Sequence, residues 1–351
     1  MNKKTKQTNK SGNNSKTLQV ENLTIYKGAP YSEIKEIVLD IFDSNFLKLS
    51  KESSKTAKKR AEEITNDFLS KLKIKNPNLI EVAKDPGFQI TFFEAQKSYA
   101  KTGDKDMASL LVDILIDRAE HKERDLRQIV LEESINIIPK LTSSQLDTLT
   151  IIFLLKNSIN NKVNDFDSLK QYLNSNIKPF SCNLSKEISL YLHLQFTGCA
   201  AVSMGSTGIV NIFKGTYRGL FFKGFDEKDF SQQVGEIDKY KNIIIKCFNN
   251  KEKFQLKAMN KEDLDKKLSE NKFDNESIKK IKKLFDQYIL SNEEIEKKLL
   301  GIGDGFMNNL FEIWKNSSIG NTFLTSVGIA IAQANYRNKV GQTLELSFWI
   351  K

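Results

Sequence analysis

The sequence predicts a mainly α-helical fold of stacked helical hairpins or an irregular bundle, carrying a glycine-rich junction and a small C-terminal α/β cap. Three observations point there. Apolar residues recur at helical spacing through most of the first two hundred positions. Six of the seventeen glycines then fall between Gly198 and Gly224, where a helical body has to change architecture. The chain ends on an alternating apolar run, Leu344-Glu-Leu-Ser-Phe-Trp-Ile350, which reads as a strand.

Taken in order, residues 1–19 hold Lys, Asn, Ser, Thr and Gln with almost nothing apolar, which predicts a flexible basic tail. Leu23-Thr24-Ile25-Tyr26 reads as a short strand closed by Lys27-Gly28-Ala29-Pro30. Ser32 is placed to cap a helix whose stripe is Ile34, Ile37, Val38, Ile41 and Phe42. A longer helix carries Ala57, Ala61, Ile64, Phe68, Leu69 and Leu72, and the turn Asp85-Pro86-Gly87 follows it. Helices are expected at about 88–101, 105–121, 124–137, 143–157, 166–175 and 186–196. Thr142 and Gln145 have capping-box spacing, with Leu141 and Leu146 placed to staple across the cap. These elements make up a helical domain at 20–197. A glycine- and aromatic-rich junction spans 198–235, and a lysine-rich helical region fills 236–351. Within that last region a helix from Ser326 to about Asn338 follows Thr322–Thr325, and 322–325 is expected to pair with the terminal strand as the α/β cap.

Composition narrows the function classes. At 351 residues with 39% hydrophobic and 28% charged residues, the chain is that of a globular protein with a sizeable core. No apolar run approaches the ~18 residues of a membrane span, and no apolar segment follows the basic start as in a secretory signal. Cys182, Cys199 and Cys247 are odd in number and widely spaced, which predicts reduced thiols in a cytoplasm and neither a disulfide framework nor a zinc site. The net charge of +10 invites a nucleic-acid reading. Against it, arginine occurs only at 60, 118, 124, 127, 218 and 337, and the lysines are interspersed with acids.

The candidate contact residues are Gly198, Gly205, Gly208, Tyr217 and Arg218. Glycines free backbone N–H groups to face an anion, and Tyr217 and Arg218 add a plane and a charge. The cluster lacks the Gly-Lys-Ser/Thr ending of a phosphate loop and the Gly-x-Gly-x-x-Gly of a dinucleotide fold. The competing reading is a junction in which Phe213, Tyr217, Phe221, Phe222 and Phe225 pack over glycines. Asp113, Asp117 and Glu120 share a helix side, but the neighbouring His121 and Arg124 make it a salt-bridged, solvated face rather than a metal site. His193 reads as a partly buried histidine with a local hydrogen bond, and a Cys199–His193 nucleophile pair has only sequence proximity behind it. The helix near Ile278–Phe285 reads as an ordinary surface helix with an apolar underside. No catalytic residue, metal or cofactor is assigned.

Tyr31–Phe42 with Asn45-Phe46, Ala61-Glu-Glu-Ile-Thr65, Asp85-Pro86, Ala95–Ala100, Leu110–Arg118, Pro139–Thr142 and Gly198-Cys199 together resemble an uncharacterised, mostly helical family of bacterial accessory-genome proteins. Phe323–Ala332 resembles the Leu-Thr-x-x-Gly segment near the C-terminus of several abortive-infection proteins. The resemblance implies a phage-defence or mobile-element setting and brings no activity with it. The expected function is a non-catalytic helical interaction protein of the bacterial cytoplasm, with a protein partner or self-association. The alternatives are a nucleic-acid-binding protein using lysine-rich helices and an enzyme with a nonstandard site at the glycine cluster.

Overall fold

The computed structural model describes residues 31–46, 49–75, 82–121 and 123–351. The expected tail and the strand at 23–26 lie outside the described residues. Helices α1 (Tyr31–Asn45), α2 (Lys51–Lys75), α3 (Pro86–Thr102), α4 (Lys105–Glu120), α5 (Leu126–Ile137) and α6 (Ser143–Ile152) follow one another through short connections. Ser32 lies inside the first turn of α1 rather than ahead of it. Asp85, Asp104 and Asp125 each accept a hydrogen bond from a backbone N–H in the first turn of the following helix, which is what starts α3, α4 and α5. At α6 the Thr142–Gln145 capping box is present in both directions.

Two helices change pitch. The chain continues past α6 as a π-helix over Phe153–Asn157, and past α7 (Phe166–Tyr172) as a second over Leu173–Ile177. There follow α8 (Ile188–Phe196), β1 (Ala200–Val202), α9 (Ile209–Thr216) and α10 (Glu227–Gln233). Beyond these come β2 (Ile244–Lys246), β3 (Phe254–Leu256), α11 (Lys261–Glu270), α12 (Asn275–Gln287), α13 (Asn292–Ile302) and α14 (Phe306–Asn316). The chain closes with β4 (Thr322–Leu324) and α15 (Ser326–Val340). The fold is mainly α.

The centre of the larger core is α15. Every residue from Gly328 to Tyr336 is buried, and the helix packs against α4, α5 and α6. Its stretch of Gly328, Ala330, Ala332 and Ala334 lets neighbouring helices approach closely, and a helix buried all round needs no polar face. The larger core collects residues between Ile34 and Phe221 and again from Leu290 to Ile350. A second core is built within residues 222–285, where α10, the β2–β3 hairpin, α11 and α12 enclose Phe222, Phe225, Phe230, Tyr240 and Phe285.

The C-terminal pairing differs from the expected one. Strand β4 pairs antiparallel with β1, with Ala201 opposite Phe323, and not with the end of the chain. Leu346–Phe348 is a 3₁₀ turn, so the alternating run is not a strand. The turn places Leu346 and Ile350 together in the core, where Ile350 N donates to Leu346 O at 3.0 Å, and leaves Phe348 outside. Trp349 Nε1 anchors the segment on Asn157 O at 2.7 Å.

Candidate functional site

The glycine cluster divides into an open half and a sealed half. Gly198 ends α8 with φ +75°, a left-handed conformation that favours glycine. Cys199 N then donates to Leu194 O at 2.9 Å. Gly205 and Gly208 lie in the exposed connection between β1 and α9, and Gly208 is the N-cap of α9. A Cβ added at Gly198 or Gly205 would meet nothing within 4 Å. The connection is held in place rather than loose. Ser203 N donates to Asn321 O at 3.0 Å, Thr207 N to Gly320 O at 3.1 Å, and Trp314 Nε1 to Thr207 O at 2.8 Å.

Tyr217 and Arg218 sit at the other end of α9, roughly 12 Å further along at 1.5 Å per residue. Tyr217 is buried, its phenol accepts from Asn160 N at 3.1 Å, and burial pushes its pKa up to about 12. Arg218 donates from Nε to Phe285 O at 3.0 Å, pairs with Asp286 at 2.8 Å and lies over the Phe285 ring. The five candidate residues therefore do not converge on one point. Around the sealed half, Phe213, Tyr217, Phe221, Phe222 and Phe225 are all buried. At Gly219 a Cβ would stand 2.2 Å from Ala258 O, and at Gly224 (φ +81°) it would stand 2.6 Å from Lys253 Cβ. These two glycines let the chain thread between the cores.

Asp113 and Asp117 are buried, not solvated as the spacing implied. Lys71 pairs with Asp113 at 2.7 Å and Lys75 with Asp117 at 3.3 Å, both from α2, while Arg337 of α15 clamps Asp117 with two bonds of 3.0 and 2.9 Å. His121 pairs with Asp125 instead of Asp117. No group of metal-ligating side chains occurs among the described residues. His193 is partly buried as expected, but its Nδ1 meets Gln145 Nε2 of α6 at 2.8 Å, a partner 48 residues away rather than a local one. Cys199 is buried, and desolvation raises its thiol pKa, the opposite of an activated nucleophile. Cys182 is exposed and Cys247 buried. A thiol reagent should therefore label Cys182 alone in the native protein, with Cys199 and Cys247 reacting only on unfolding. Counting modified peptides by mass spectrometry checks this.

Sequence reasoning passed over the outer face of α8. Ile188 (63% exposed), Leu192 (54%) and Phe196 (85%) form an i, i+4, i+8 stripe facing solvent, while Tyr191 and Leu194 face the core. Beside the strand pair, Met204 is fully exposed and Phe323 is half exposed. The missed signal is that this short helix is apolar on both sides, more than one buried face requires. Its inner side is fixed by Tyr191, whose hydroxyl donates to Ser185 O at 2.9 Å and lies 2.9 Å from Ser317 Oγ.

The chain is thus a mainly α-helical body that presents an apolar helix stripe beside a two-stranded ribbon. A family model described as ":-like" matches residues 28–350, and the chain belongs to that family. No curated protein and no solved structure matches the chain.

Proposed function

We propose that this is a non-catalytic helical interaction protein whose contact face is the outer stripe of α8 with Met204 and Phe323. The observation that carries the reading is the stripe itself. Large apolar side chains in a continuous row leave water only when something covers them, and such patches mark contact surfaces. Anchors at i, i+4 and i+8 on a held helix suit a complementary apolar groove on a protein partner or a second copy. Gly198 and Gly205 leave open space beside Met204 in the adjoining connection. The setting proposed is the bacterial cytoplasm, with a role in phage defence, on the resemblances of the 31–142 segments and of Phe323–Ala332. Among the described residues no helix is long and apolar enough to cross a membrane.

A photoreactive amino acid at Leu192, activated in cells of the native host, should yield a discrete adduct that Phe196→Glu abolishes. Absence of any discrete adduct from that position overturns the reading. For the defence role, the Leu192→Glu/Phe196→Glu chain should keep its Tm and lose phage restriction in plaque counts.

A further inference from the structure

We propose that the cleft between α9 and the first turn of α11 binds a small phosphate-bearing molecule of nucleotide size, with Lys156 as the charge that meets the phosphate. Lys156 stands on the π-wound turn that extends α6, a local geometry that recurs at functional sites. Its ammonium donates to Thr322 O at 2.8 Å and Gly320 O at 3.1 Å, and lies 4.1 Å from the centre of the Phe323 ring. Among the described residues no carboxylate pairs with it, and burial draws its pKa down. Neighbouring cations are treated differently. Lys261 pairs with Asp286 at 3.1 Å and Lys267 with Asp263 at 2.6 Å. A cation half withdrawn from water without a counter-ion is unfavourable, and two carbonyls orient it without neutralising it. An anion in the cleft supplies the missing charge.

The cleft, about 530 Å³, is also lined by Arg218 and Lys261, against a single carboxylate, the exposed Glu262. A second observation concerns Gly215, on the cleft wall in the last turn of α9. Its φ is not left-handed, and an added Cβ would meet nothing within 4 Å. Neither backbone conformation nor packing calls for glycine there, and glycine inside a helix is less stable than alanine. A bare helix wall lets a ligand come close to the backbone.

The cleft continues into a second of about 850 Å³ that shares Thr216 and Asn260 and adds Tyr217, Phe248 and Met259. The second is also lined by Lys257, Lys266 and Lys267 against Glu262 and Asp263, so apolar and charged groups are mixed along its length, as in small-molecule sites. Arg218 and Lys261 are both committed to Asp286, so the head group meets Lys156, a point charge of the kind that binds phosphate.

Titration calorimetry on the full chain with ADP, GDP, CDP, UDP and pyrophosphate tests the proposal, which shares Phe323 with the protein-contact reading but does not depend on it. At least one nucleotide should bind, with pyrophosphate weaker, and Lys156→Met should weaken both by roughly tenfold, the worth of one charged hydrogen bond. Gly215→Leu should abolish binding. Gly215→Ala keeps the test open should Lys156→Met fail to fold, because it is expected to raise Tm and still weaken the nucleotide. No heat with any of these probes, or binding unchanged in Gly215→Leu, overturns the proposal.

Discussion

Gly328→Ala is expected to destabilise the protein by about 3 kcal/mol, the upper end of overpacking costs. Alanine inside a helix is ordinarily favoured over glycine by about 1 kcal/mol, so the sign itself is the test. The added Cβ would stand 2.0 Å from Cys199 O and 3.0 Å from Cys199 C, backbone atoms that cannot swing aside. The same carbonyl accepts from Thr325 N at 3.0 Å, and Thr325 Oγ1 donates to Gly198 O at 2.6 Å while accepting from Gly328 N at 3.2 Å. Relieving the clash therefore opens the joint between β1 and the start of α15. Urea unfolding should show a lower midpoint with the slope unchanged. Gly215→Ala is the control, gaining up to about 1 kcal/mol. A neutral or stabilised Gly328→Ala would show that α15 and β1 do not meet as described.

Asp117→Ala should cost about 3 kcal/mol, because it leaves a largely buried guanidinium without its bidentate partner. Arg337 would then face Asp113 at 3.6 Å, which Lys71 already engages. The interaction ties α4 to α15, and Lys71 and Lys75 add α2. Replacing both partners by leucine should recover much of the loss, since an apolar pair leaves no orphaned charge. A double-mutant cycle measured by urea unfolding separates this from simple loss of packing. Single and double variants of equal stability would sink the account.

Much of the helical order was legible because it is written locally. Ala57, Ala61, Ile64, Phe68, Leu69 and Leu72 recur at helical spacing, and all are buried in α2. Thr142 and Gln145 carry their cap within four residues. The terminal run misled because alternation of Leu344, Leu346, Phe348 and Ile350 fits a strand as well as a turn. What decided was the distant docking of Trp349 on Asn157. Asp113 and Asp117 misled for a similar reason, since Arg337, their largely buried counter-ion, lies 220 residues from Asp117. At the candidate site, five aromatics foretold a packed junction, and burial of all five agrees. The outer stripe of α8 and the isolation of Lys156 were not readable. Each depends on what remote segments cover, or on where remote acids fall.

The central position of α15 has a consequence for the order in which the protein is made. Asp147 of α6 and Asn335 of α15 are hydrogen-bonded at 3.2 Å but stand 188 residues apart in the chain. At roughly 5–20 residues per second, the ribosome needs about 10–40 s to supply that partner. Through that interval α4, α5 and α6 have left the tunnel with the faces that receive α15 uncovered. The larger core can close only once α15 has itself left the ribosome and packed against α4, α5 and α6. Nascent chains stalled before Ser326 should accordingly remain open to protease and to chaperones that hold exposed apolar helices.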